Sequence, residues 1–117
     1  MISTTTSTDL LVTSKGIIKL ADFGLARIYD PVNPKALSHQ VATRWYRSPE
    51  LLFASRNYDF SADIWSVGVV LGELLGLKPL FPGNNDIDQM YKVFQIMGSP
   101  NPDVWPVSSS NFLVIMF

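Results

Sequence analysis

Two kinds of side chain in this sequence are placed to do chemistry: single carboxylates at the ends of apolar runs, and a close pair of arginines. Asp22 closes the run Ile17-Ile18-Lys19-Leu20-Ala21 and is followed by Phe23 and Gly24. A carboxylate is the hard oxygen ligand that Mg²⁺ takes, and the glycine leaves the loop conformationally free. The competing interpretation is an ordinary strand-end aspartate in a turn. Asp63 stands in the most apolar stretch of the chain. An unpaired carboxylate is costly to bury there, so Asp63 must find donors, or face solvent or the positive end of a helix. Arg44 and Arg47 flank Trp45-Tyr46; they are either a recognition pair or a solvated basic pair. Ser38 and the single histidine, His39, fall in a proline-broken loop, where His39 reads as a loop residue and not as a general base. With no cysteine in the chain, disulfides and thiolate metal sites are excluded, and one histidine excludes a multi-histidine site.

The elements that must hold these residues are short. Residues 1–9 are dominated by Ser and Thr and show no apolar periodicity. Leu10-Leu11-Val12-Thr13 and Ile17-Ile18-Lys19-Leu20 are β-rich runs around Ser14-Lys15-Gly16, which predicts a hairpin with Gly16 left-handed. Pro31 and Pro34 mark residues 28–44 as loop. A helix is predicted from Ser61 to Gly76, with Ser61 as N-cap and Gly76 as the residue just past the end. Its apolar residues cover almost every face, which predicts a helix buried all round. Lys78-Pro79-Leu80-Phe81-Pro82-Gly83 reads as a rigid connector. A second helix is predicted from about Asp86 to Met97, capped by Asn85 or Asp86 and stopped by Gly98-Ser99-Pro100. Its stripe of Ile87, Met90, Tyr91 and Phe94 predicts one buried face. Residues 107–117 end in an apolar tail.

Composition narrows the class. The chain has 117 residues, of which 47% are hydrophobic and 16% charged, so it is not broadly disordered. A net charge of −1 gives no electrostatic case for nucleic acid or an anionic membrane. No apolar run approaches the roughly 20 residues that span a bilayer, and the first residues lack the basic region and apolar core of a signal peptide. There is no internal repeat.

Four blocks then occur in one order: Asp22-Phe23-Gly24, Thr43-Arg44-Trp45-Tyr46-Arg47, Ser48-Pro49-Glu50 and Asp63-Ile64-Trp65-Ser66-Val67-Gly68. By these blocks residues 10–106 resemble part of the large lobe of a protein kinase of the CMGC group, with the first and third framing the activation segment. Trp45 to Leu52 and Pro79-Leu80-Phe81-Pro82-Gly83 look like the cyclin-dependent kinase branch. Asn84 to Gln89 and Asn101 to Pro106 look most like the cell cycle-related kinase subfamily.

The resemblance implies a protein kinase-like fold: a piece of the mainly α large lobe with one β-hairpin and the activation segment. It implies that Asp22 binds the Mg²⁺ that bridges the ATP phosphates, with Phe23 and Gly24 shaping the cofactor site. Ser38 falls at the place of an activating phosphorylated residue that would pair with Arg27; the alternative is a solvated loop serine. Thr43 matches a threonine that contacts the catalytic loop. Arg44 and Arg47 match residues that shape the pocket for the residue after the phosphoacceptor, which this group prefers as proline. Asp63 matches a carboxylate that accepts from the catalytic-loop backbone, and Glu50 one that pairs with an arginine far downstream. The implied partners are protein substrates bearing Ser or Thr before Pro, not nucleic acid or membrane, and the implied location is cytoplasmic or nuclear.

The sequence also departs from that pattern. Counting back without gaps from Leu10, Asp9 takes the place of the Mg²⁺-binding Asn, Thr6 that of the phosphate-contacting Lys, and Thr4 that of the catalytic base. A threonine cannot act as a carboxylate base, so no catalytic residue is assigned; Asp9 is a second candidate metal ligand. These 117 residues show no Gly-rich loop, β3 Lys or αC Glu, which also leaves a cyclin-type partner in doubt. Residues 1–9 and 107–117 match nothing in the pattern, as a truncated transcript would produce. The expectations are a chain without activity of its own, in which ATP and Mg²⁺ belong to the intact kinase, or a non-catalytic module that binds that kinase's partners, or an unstable product.

Overall fold

Gly16 has φ 75°, a left-handed value that a glycine adopts without a Cβ penalty. Around it Gly16 N donates to Thr13 O and Thr13 N to Ile17 O, each at 2.9 Å. The turn joins β1 (Leu10–Val12) to β2 (Ile18–Leu20) in an antiparallel pair with Leu10 opposite Leu20, Leu11 opposite Lys19 and Val12 opposite Ile18. The hairpin is the one expected from Ser14-Lys15-Gly16. The computed structural model describes residues 9–24, 26, 43–55 and 58–99.

After the hairpin the described chain resumes at Thr43. A 3-10 turn spans Arg44–Tyr46, and α1 spans Pro49–Leu52 with Pro49 in its first turn, where its missing N–H is no loss. Next come α2 (Ser61–Gly76) and α3 (Asp86–Met97). The core is Tyr46, Val69, Val70, Phe81 and Val93, with Leu10, Trp65, Leu80 and Phe94 against it. Phe81 and Val93 are essentially fully buried, each contributing roughly 1.5–3 kcal/mol. The Trp65 and Phe81 rings stack at 6.2 Å, 18° from parallel. Phe81 thus turns the connector between α2 and α3 into part of the core.

Both helices keep their predicted spans, but their ends and faces differ from expectation. Ser61 is the first helical residue of α2 and Phe60 the N-cap, without a side-chain cap. The cap is supplied from outside: Asp59 Oδ1 accepts from Ser61 N at 2.8 Å. Hydrogen bonds from the Ser61 hydroxyl and then its amide hold the Asp59 carboxyl below its ordinary pKa, against a smaller effect of burial. At the other end Gly76 remains helical, and the left-handed residue is Leu77 at φ 53°. Nor is α2 buried all round. It buries Ala62, Ser66, Val69 and Val70, while Ile64, Val67, Leu71 and Leu75 are exposed.

The stripe expected to bury α3 is only half of its inner face: Phe94 packs against the core and Met90 is partly buried. Ile87 and Tyr91 are exposed, and the fully buried residues are Gln89 and Val93. The reason is polar: Gln89 is needed inside to bridge two segments, as shown below. Asn85 is the N-cap, its Oδ1 accepting from Asp88 N at 2.9 Å, and Gly98 ends the helix at φ 84°. Among the described residues no helix is long and apolar enough to cross a membrane.

Candidate functional site

Asp22 follows β2 directly. Its φ is 55°, a region that Asp enters more readily than most residues. Its Oδ1 accepts from Gly24 N at 3.0 Å; the carboxylate is exposed, and so is Phe23. The hairpin register brings Asp9 alongside: Ala21 N donates to Asp9 O at 2.7 Å, so Asp9 faces the residue just before Asp22. The two candidate ligands therefore lie at the same open end of the hairpin. Both supply hard carboxylate oxygens, and Mg²⁺ typically takes only one or two carboxylates and completes its shell with water and phosphate oxygens. The donor set fits Mg²⁺ with a phosphate ligand. It does not form a cage without one, since no group of three metal-ligating side chains occurs among the described residues.

The second cluster is the segment Thr43 to Arg47 locked onto the start of α3. Arg44 Nε donates to Asp86 Oδ1 at 2.8 Å, and its Nη1 to Asn84 O at 3.1 Å. Arg47 Nη1 lies 3.5 Å from the same Asp86 Oδ1. Between them Trp45 Nε1 donates to Gly83 O at 2.9 Å. Gln89 closes the joint from within: its Nε2 donates to Trp45 O at 3.3 Å, and its Oε1 accepts from Gly83 N at 3.0 Å. Gly83 is required there, because a Cβ at that position would lie 2.7 Å from Gln89 Cβ and 2.5 Å from Gln89 Cα. Tyr46 points the other way, its hydroxyl donating to Glu73 Oε2 at 2.7 Å, while Ser66 Oγ donates to Tyr46 O at 2.9 Å. The segment is thus pinned from α2 and from α3.

A second set of bonds stiffens the receiving loop. Asp88 Oδ2 accepts from Asn84 N at 2.8 Å and pairs with Lys92 at 3.2 Å, and Lys92 Nζ also donates to Pro82 O. The Asn84 amide, then Lys92, hold the Asp88 carboxyl below its ordinary pKa.

The remaining sequence-predicted residues divide as follows. Thr43 is exposed and heads the 3-10 turn, with Tyr46 N donating to its carbonyl at 3.1 Å. Asp63 lies in the first turn of α2 with Oδ1 fully covered, so that oxygen does not face solvent. Glu50 is half-buried and makes no ion pair among the described residues. Ser48 Oγ and Trp65 Nε1 are buried without a hydrogen-bond partner among the described residues. Thr4, Thr6, Arg27, Ser38 and His39 lie outside the described residues, as does the 107–117 tail. Among the contributors not singled out as site residues from the sequence are Asp86, Gln89 and Glu73. Asp86 and Gln89 both lie in the Asn84 to Gln89 block, and Asp86 was also one of the two cap candidates of α3, but neither was read as a partner of the arginine segment.

With this geometry in place, the comparisons define the class. A family model described as the protein kinase domain matches residues 7–116, and the chain belongs to that family. Within it the chain is cyclin-dependent kinase-like. It is 56% identical to human cyclin-dependent kinase 20 over 98 residues, which are 84% of this chain and 28% of that protein. The Danio rerio protein of the same name is 54% identical with the same coverage. Caenorhabditis elegans cyclin-dependent kinase 7 is 50% identical over 109 residues, 92% of this chain and 33% of that protein. The chain therefore spans about a third or less of these relatives. The kinase-like fold and the cyclin-dependent kinase resemblance stand as expected from the motifs.

Proposed function

We propose that the chain supplies the protein-substrate platform of a cyclin-dependent kinase-like serine/threonine kinase directed to Ser or Thr before Pro, and that the 117-residue chain by itself does not transfer phosphate. The observation that carries the first half is the pinned segment from Thr43 to Arg47. Arg44, Trp45 and Arg47 are held by the 83–89 segment in one presentation. A substrate surface needs that property, because positioning and charge placement are most of what a protein contributes to phosphoryl transfer. Asp22, with Asp9 beside it in the hairpin register, would hold Mg²⁺, which when bound neutralises charge on the ATP phosphates.

The second half rests on Thr4 at the place of the base. A hydroxyl there cannot take the substrate proton as a carboxylate does. The test is transfer of labelled γ-phosphate from ATP to a Ser-Pro peptide by the purified chain. No incorporation is expected; incorporation that Asp22→Asn abolishes would overturn the claim.

The same pinned platform favours a second reading, in which the chain is a non-catalytic module that competes for substrates of kinases in its family. Competition is measured by adding the chain to an active cyclin-dependent kinase and a Ser-Pro substrate. Inhibition relieved by excess substrate supports the module, and no inhibition at a large molar excess of chain removes it.

A further inference from the structure

Asp86 does two jobs with one oxygen. It sits at the start of α3, where a negative charge is favoured by the helix end. Its Oδ1 receives Arg44 Nε at 2.8 Å and has Arg47 Nη1 at 3.5 Å. Two guanidiniums three residues apart would repel each other and spread if left alone. A carboxylate between them cancels that repulsion and fixes both planes. The Asn84 carbonyl reaches Arg44, and Trp45 and Gln89 tie down the backbone and the indole. The contacts to Asp86 join both arginines to the start of α3.

We propose that Asp86 is a specificity-positioning residue: by holding Arg44 and Arg47 together it sets the surface that meets the residue following the phosphoacceptor. This rests on the substrate-platform reading above. Asp86 itself does not touch substrate in this scheme; it acts through the two arginines. Its side chain is half-exposed, so the ion pair contributes little to global stability. Positioning is the larger part of its role.

The experiment compares the 117-residue chain with Asp86→Asn and Asp86→Glu in two measurements. The first is NMR of the arginine Nε–Hε groups, which needs no ligand. Asp86→Asn should broaden or shift the Arg44 and Arg47 signals together, and Asp86→Glu should largely restore them. If Asp86→Asn moves only one arginine or neither, the proposal is overturned. The second is the ratio of binding constants for labelled Ser-Pro and Ser-Ala peptides. Asp86→Asn should reduce that preference by roughly two- to fivefold, the range of a partly exposed ion pair, with rescue by Asp86→Glu. An unchanged preference overturns the role in specificity. Should the unmodified chain bind neither peptide, the substrate-platform reading fails, and the role in specificity fails with it; the arginine signals still decide whether Asp86 holds the pair.

Discussion

Single residues in this chain are fixed by shape as much as by charge, and Gly83 shows it best. It lies in the joint between the arginine segment and α3, with its amide bonded to Gln89 Oε1 and no room for a Cβ against the Gln89 backbone. Gln89 is fully buried and cannot swing away without leaving its amide unsatisfied, which is itself costly. Gly83→Ala should therefore destabilise the chain by about 1–3 kcal/mol, the usual range for overpacking. It should also release the Trp45 indole from Gly83 O. Urea unfolding monitored by tryptophan fluorescence measures both; a change below about 0.5 kcal/mol, the level of a neutral surface substitution, would show that the joint yields. Asp22 has the opposite character. It is exposed and left-handed, and Asn tolerates that backbone. Asp22→Asn is thus a clean way to remove the proposed Mg²⁺ ligand without disturbing the fold.

Elements divide into those whose limits sequence dictates and those whose faces it does not. The hairpin was legible because Gly16 marks the turn and the flanking runs fix the register. The spans of α2 and α3 were legible from flanking Asp, Asn, Gly and Pro. The faces were not. Apolar periodicity pointed to Ile87, Met90, Tyr91 and Phe94 on α3; Phe94 does pack against the core, yet Ile87 and Tyr91 are exposed and the fully buried residues are Gln89 and Val93, because a tertiary joint required an amide inside. The same limit hid Asp86 as the partner of Arg44 and Arg47, since a contact 42 positions apart leaves no local spacing to read.

The left-handed cap of α2 falls on Leu77 and not on Gly76, and this gives a prediction. Leu77 is left-handed at φ 53° and 91% exposed. It carries the Cβ penalty of that conformation, about 1–2 kcal/mol, with little burial in return. Leu77→Gly should raise stability by about 0.5–1 kcal/mol after the greater unfolded-state entropy of glycine. Thermal unfolding tests it, and a lower midpoint would mean that Leu77 packs in solution. At the start of α3 the acid side is sensitive. Because the folded Asp88 carboxyl titrates below its ordinary value, its contribution is complete above that value and is lost as pH falls through the lowered one. The Asn84 amide signal should therefore shift with an apparent pKa below the ordinary carboxylate value, and the shift should vanish in Asp88→Asn. A midpoint at or above the ordinary value contradicts the assigned bond.

At the scale of the whole molecule, the described core is small and one helix is only half covered. Ile64, Val67, Leu71 and Leu75 recur along one side of α2, all more than half exposed. Ile87 and Tyr91 add an apolar strip on α3. Each large apolar side chain left in water forfeits roughly 1.5–3 kcal/mol of burial, against a typical stability of about 5–15 kcal/mol for a domain. Contiguous exposed apolar surface of this kind drives association. The run Phe112 to Phe117 adds an uncharged, β-prone, proline-free window, which is an aggregation signature at the level of sequence. The 117-residue chain should therefore unfold with low cooperativity and self-associate at micromolar concentration. Size-exclusion chromatography with light scattering measures this directly. Replacing Ile64, Val67 and Leu71 by Lys, Glu and Lys should shift the mass toward monomer if α2 is the contact. A sharp monomer peak from the unmodified chain, with cooperative thermal unfolding, would show that the chain closes its own core, and would favour the binding-module reading over an unstable product.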